Sequence, residues 1–181
     1  GTVTGSPIPN LTGGKFAGGF EFYGNASPQE DYIDIPDIIE GLSKLTVSVW
    51  VKAKVADSGA SWNILDQEGV GADAIRISRR PADNYQFVLY NDSSDSSTIN
   101  SNNIFQDTNW HHIAGTYNGS QTTLYVDGNQ EATGSLTGVI ETTTISTLVI
   151  GSNGDNLNTW NGTIDEVAIW NRTLTASEIN N

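Results

Sequence analysis

Asp165 and Glu166 are neighbouring carboxylates inside an alternating run from Thr163 to Trp170, and a carboxylate pair is the first requirement of glycoside hydrolysis. That chemistry needs both groups on one face of a strand, whereas adjacent strand residues point to opposite faces. The positions that share a face with Asp165 are Thr163 and Val167, and neither can supply the partner. His111 and His112 are also adjacent, and as the chain's two histidines they make neither a zinc pair nor a base for a serine. No nucleophile-elbow pattern is present. Gly69-Val-Gly-Ala-Asp-Ala74 loosely mimics a dinucleotide fingerprint, but Ile75-Arg-Ile-Ser78 after it reads as strand where that fingerprint needs a helix. The residues therefore predict a chain that is not an enzyme.

Binding chemistry is better supplied. A sugar site needs an aromatic platform for the apolar face of a pyranose, with amides or carboxylates nearby for its hydroxyls. Trp62, Tyr90 and Trp160 lie at or beside the polar segments 58–61, 91–95 and 153–156. With Asn91, Asp155 and Asn156 they form the predicted carbohydrate-binding set, converging on one loop rim. Large aromatics are highly buried on average, so each tryptophan also has a core reading. Trp50 fits either.

Charge and composition narrow the partners. The 181 residues carry 21 acids against 8 bases, a formal charge of −13, yet only 16% are charged, so polarity rests on Asn, Ser, Thr and Gly. Such a surface disfavours nucleic acid and anionic membranes and suits sugar hydroxyls or calcium. No apolar run approaches the roughly 18 residues of a membrane span, so no membrane insertion is expected. With no Cys, a disulfide framework and a thiolate zinc site are both excluded.

The elements that must position these residues are strands. In Leu45-Thr-Val-Ser-Val-Trp-Val-Lys52, Leu45, Val47, Val49 and Val51 share one face, and Thr46, Ser48, Trp50 and Lys52 the other. Shorter runs around residues 20–22, 32–35, 64–66, 75–78, 85–90, 112–117, 123–126, 147–150 and 163–170 read the same way. Asp127-Gly128 after Leu124-Tyr-Val126 predicts a tight hairpin, and Thr175-Ala-Ser-Glu178 has capping-box spacing for one helical turn. Residues 91–103 are the most polar stretch and are expected to be a surface loop. The expectation is one all-β domain over residues 1–181, an antiparallel two-sheet sandwich.

Six segments in order resemble the bacterial branch of the laminin-G-like domains, of concanavalin A-like jelly-roll fold. They are Gly18-Gly-Phe-Glu-Phe-Tyr-Gly24, Asp31-Tyr-Ile-Asp-Ile-Pro36, Leu45 to Lys52, Trp110-His-His-Ile-Ala-Gly-Thr-Tyr117, Leu124-Tyr-Val-Asp-Gly128, and Gly162 to Leu174, covering about residues 13–180. The resemblance implies a jelly roll of two antiparallel sheets. It also implies that Trp110 and Trp170, inside its motifs, fill the core. It implies a structural Ca²⁺ held by Gly24, Asn25 and Asp165, although Tyr23 stands where the family commonly has an aspartate; alternatively Asp165 caps a loop through backbone amides. Relative to the family the chain starts one strand late, which implies that the strand was trimmed away, that the sandwich tolerates its loss, or that a neighbouring chain supplies it. The leading expectation is a carbohydrate-recognition module for polysaccharide or glycan, extracellular and joined to other domains of a larger chain. A structural or adhesive unit working by strand donation is the alternative.

Overall fold

The computed structural model describes residues 2–5, 7–24, 31–56, 59–68, 73–141, 147–153 and 158–180. Among them the chain forms fourteen strands and one short helix. In order they are β1 (Thr2–Thr4), β2 (Ile8–Asn10), β3 (Gly19–Tyr23), β4 (Tyr32–Ile35), β5 (Leu45–Ala53), β6 (Trp62–Glu68) and β7 (Asp73–Arg79). Then follow β8 (Tyr85–Tyr90), β9 (Ser96–Asn100), β10 (Trp110–Tyr117), β11 (Gln121–Val126), β12 (Asn129–Ser135), β13 (Leu148–Ile150), β14 (Asn161–Trp170) and α1 (Ala176–Ile179). Two seven-stranded sheets result, ordered β1-β4-β13-β6-β7-β8-β9 and β12-β11-β10-β5-β14-β3-β2, with every strand pair antiparallel.

Alternation decides which side of each strand faces the other sheet. Leu45, Val47, Val49 and Val51 are fully buried and join Ile75, Ile77, Phe87 and Leu89 of the first sheet in one core. Burying each such side chain stabilises the fold by about 1.5–3 kcal/mol. On the other face of β5, Thr46 and Ser48 are buried as well, because the C-terminal segment crosses over them. Thr46 Oγ1 donates to the Arg172 carbonyl and accepts from the Leu174 amide, both at 2.8 Å. Leu174 and Ile179 then pack with Ala114 and Tyr125 in a second small cluster, beside a half-buried Trp170. The helix carries the expected capping box, Thr175 and Glu178 each bonding the other's backbone amide.

The hairpin also lies where the sequence places it, with Asp127 at φ 50° and Gly128 at φ 76°. Positive φ at both positions is what a type I′ turn requires. One expectation fails. Residues 91–103 include a strand, β9, since the hydroxyl-rich Ser96-Ser-Thr-Ile-Asn100 pairs with all of Gln86–Tyr90. On the β9 side Ser97 Oγ and Thr122 Oγ1 meet at 2.6 Å and tie the sheets together. On the opposite side β1 and β2 are the free edges, one in each sheet.

Inside the sandwich Arg79 is fully buried, an outcome its sequence context does not announce. Its guanidinium pairs with the buried Asp83 at 2.9 Å and donates to the carbonyls of Val55, Ala56 and Phe105. A buried charge is tolerable only when paired and hydrogen-bonded in this way. Three loops are thereby fastened to the end of β7.

Candidate functional site

The outer face of the second sheet gathers the aromatic side chains that point away from the core. The register aligns Trp110, Lys52 and Thr163 in one row across β10, β5 and β14, with His112, Trp50 and Asp165 in the next. Trp110, Trp50 and His112 are each half-buried, and Lys52 is exposed. The Trp50 and His112 rings lie 5.1 Å apart at 35°. Burial holds the His112 pKa below its ordinary value, against the attraction of Asp127, so the ring is held towards its neutral form.

A loop from the far end of the sequence completes this surface. Residues 11–18 leave β2 and fold over the sheet, where Asp165 clamps them. Asp165 Oδ2 accepts the Lys15 amide at 2.7 Å, and Oδ1 accepts the Glu166 amide at 2.8 Å. Gly14 permits the approach, since a Cβ there would stand 2.7 Å from Asp165 Oδ2. The loop thereby lays the Lys15 ammonium over the Trp50 ring, 4.1 Å from its centroid, and sets Phe16 edge-on to the same ring at 6.1 Å. Phe16 itself is 69% exposed.

Next to the clamp β14 breaks its register. A bulge between Asp165 and Ala168 leaves Glu166 exposed at φ 49°, a conformation that costs a non-glycine residue about 1–2 kcal/mol. The bulge re-aims the strand, as bulges do beside functional surfaces. Glu166 lines a groove of about 390 Å³ together with Phe16, Trp50, His112, Trp170 and Asn180. The groove thus offers indole, imidazole and phenyl surface beside a carboxylate and an amide, the combination a sugar ring requires.

The residues singled out from sequence fall elsewhere. Trp62 and Trp160 are 7% and 0% exposed and stack edge to face at 5.8 Å in the core, so neither indole face is open to a ligand. Tyr90 is half-buried at the opposite end of the first sheet, because Trp62 pairs with Arg79 while Leu89, beside Tyr90, pairs with Ile75. Asn91 is buried, its Oδ1 accepting the Ser93 and Asp95 amides and its Nδ2 donating to the Thr137 carbonyl. Asp155 and Asn156 lie outside the described residues. The four described members therefore do not converge on one rim. Trp110 and Trp170, expected in the core, instead face outward from the second sheet, because period two places them with His112 and Ala168.

The calcium set is not gathered either. Gly24 bonds the Trp160 carbonyl at one end of β3, while Asp165 lies one step beyond Ile164, which pairs with Phe20 near the other. Five strand residues separate the two positions, about 16 Å at the usual rise. Both Asp165 oxygens already hold backbone amides, and Asn25 lies outside the described residues. Gly24 and Asp165 do not fit one calcium site. Among the described residues no group of three or more His, Cys, Asp or Glu is placed to hold a metal ion.

Two further features sit outside the groove. His111, on the inward face of β10, is held between Asp127 at 2.8 Å from Nδ1 and Asp107 at 3.0 Å from Nε2. Burial opposes its charge, but the bond and charge of Asp127, then those of Asp107, outweigh it, and the His111 pKa stands above its ordinary value. At the open edge an apolar cleft of about 570 Å³ enters between the sheets, lined by Leu11, Phe20, Phe22, Ile33, Ile164 and Val167 among others. Val3, Ile8 and Leu11 are exposed at that edge. No described helix is long and apolar enough to cross a membrane.

Comparison with known proteins agrees with this architecture. Residues 27–180 match the laminin G family model described as the concanavalin A-like lectin/glucanases superfamily. No curated protein matches the chain by sequence. Among solved structures, the binding domain of Paraclostridial Mosquitocidal Protein 1 superposes with a TM-score of 0.74 at 18% identity, over 99% of this chain and 45% of that one. Domain 4 of AbnA, a GH43 extracellular arabinanase from Geobacillus stearothermophilus seen in complex with arabinotriose, gives 0.68 at 19% identity, over 99% and 80%. A heptameric SAP-like pentraxin from Limulus polyphemus gives 0.65 at 18%, over 88% and 78%. At these identities the likeness is one of fold, and the chain spans less than half of the mosquitocidal protein's binding-domain chain.

Proposed function

The chain belongs to the laminin-G-like family of the concanavalin A-like lectin/glucanase superfamily, and from that premise we propose that it is a non-catalytic carbohydrate-binding module. The observation that carries the reading is the outward cluster of Trp50, His112, Phe16 and Trp170 in a groove rimmed by Glu166 and Asn180. Stacking on aromatic faces with a few fixed acceptors recognises a sugar without transforming it. The neighbouring acids support a non-catalytic role. Asp165 holds a loop and Glu178 caps the helix and pairs with Arg172 at 2.8 Å, so that among the described residues lining the groove Glu166 has no second free carboxylate of the kind glycosidases use. A similar fold binds arabinotriose in the arabinanase domain, and that domain belongs to an extracellular enzyme. We place this module likewise outside the cell, within a longer protein.

The test is retention on a panel of insoluble polysaccharides and glycans, with Trp50→Ala alongside. Binding by the wild type and its loss in a folded Trp50→Ala protein supports the reading; no retention on any glycan refutes it. One observation favours a second reading, a structural unit making protein contacts. The free edges β1 and β2 flank the apolar cleft, where an incoming strand would find backbone partners and a place for alternate apolar side chains. Electron microscopy and size-exclusion chromatography decide this one, since strand donation yields chains or filaments and a strictly monomeric species removes it.

A further inference from the structure

The Trp50 platform is covered by a cation, in a chain with few cations to spare. Lys15 is one of 8 bases against 21 acids. Among the described residues its ammonium has no carboxylate within ion-pair distance, and it rests over the Trp50 ring at 4.1 Å. Its backbone is fixed by the Asp165 clamp, so the side chain is rooted beside the indole. Lys52 stands on the same strand face two residues from Trp50, exposed and likewise without an acidic partner among the described residues. Two acids line the groove, Glu166 beside the Asp165 clamp and Glu178, which Arg172 engages.

A saccharide that stacks on Trp50 must move the Lys15 ammonium from the ring. A neutral sugar loses that cation–π contact and returns nothing to the charge. A sugar bearing a carboxylate re-pairs the displaced ammonium. The exchange keeps the lysine satisfied where the neutral ligand strands it in water. The surrounding field of a chain at −13 opposes any polyanion, so selection must come from cations that touch the ligand. We propose that Lys15, supported by Lys52, makes this groove selective for acidic saccharides, that is, chains containing uronic acid. The inference rests on the carbohydrate reading above and names its ligand class.

The experiment compares tetragalacturonate with its fully methyl-esterified form, titrated calorimetrically against the wild type, Lys15→Gln and Trp50→Ala. The expected preference of the wild type for the free acid is about twofold to fivefold, from one exposed ion pair gained, since both ligands displace the cation–π contact alike. Lys15→Gln should bind both forms alike, and Trp50→Ala neither. Equal or better binding of the ester by the wild type overturns the proposal and leaves the carbohydrate reading standing. A preference that persists in Lys15→Gln also overturns it. Binding of neither ligand, where other glycans are retained, overturns the acidic class alone; retention of no glycan removes both.

Discussion

Replacing Asp165 by Ala should release the loop of residues 11–18 from the outer face of the second sheet. The carboxylate accepts the Lys15 amide at 2.7 Å and the Glu166 amide at 2.8 Å, and the residue is only 9% exposed. Hydrogen bonds to a charged group are worth about 1.5–3 kcal/mol each. Lys15 and its neighbour Phe16, freed beside the lost clamp, regain conformational entropy at about 1 kcal/mol each, which offsets part of the loss. A net cost of about 2–3 kcal/mol is expected, and for a chain of this length each kcal/mol lowers Tm by about 2–4 °C. Asp165→Asn keeps one acceptor oxygen and turns an amide NH₂ toward the other N–H, so it should cost about half as much. Differential scanning calorimetry reads the stability. Acrylamide quenching of tryptophan fluorescence reads the loop, because Lys15 and Phe16 leave Trp50 when the clamp fails. An unchanged Tm in Asp165→Ala would refute the clamp. So would an equal fall in Tm when the wild type meets EDTA, since that would make the carboxylate a calcium ligand.

Two further outcomes follow from the same geometry. The His111 pKa is raised in the folded state, so the charged ring's stabilisation is complete below about pH 6.5, its ordinary value, and is lost as pH rises through the folded value. Melts of wild type and His111→Gln should therefore converge as pH rises above 6.5, and a difference that widens with pH would reverse the sign. Thr46→Val keeps the shape of a buried residue but removes its bonds to Arg172 and Leu174; leaving the Leu174 amide unpaired should cost about 1–3 kcal/mol in chemical denaturation, and a loss below 0.5 kcal/mol would show that the C-terminal segment is not anchored there.

Most of the architecture was legible because alternation is local. Leu45 to Lys52 announces its two faces, Asp127-Gly128 its hairpin, and Thr175 with Glu178 its cap, each from residues within a few positions of one another. The short edge strands β1 and β2 carry too few residues for a period to show, and β9 hides in hydroxyl residues that read as loop. The site was harder for two reasons. Polar flanks around Trp62 and Trp160 suggested exposure, whereas both rings turn inward across the sandwich. Trp110 and His112 could have been placed outward by the alternation that put Ile113 inside, had the period been followed through β10. The clamp had no comparable signal, because Lys15 and Asp165 meet across 150 residues of sequence. Nor did the bulge that exposes Glu166, which depends on how β14 fits between β3 and β5.

The five tryptophans give the most direct test of where a ligand lands. Their indole N–H resonances, assigned by single Trp→Phe variants in ¹⁵N-labelled protein, can be followed while a retained oligosaccharide is added. Trp50 should shift furthest, with Trp110 or Trp170 following, and Trp62 and Trp160 should stay in place. Saturable shifts confined to Trp62 and Trp160, with Trp50 unmoved, would contradict the account.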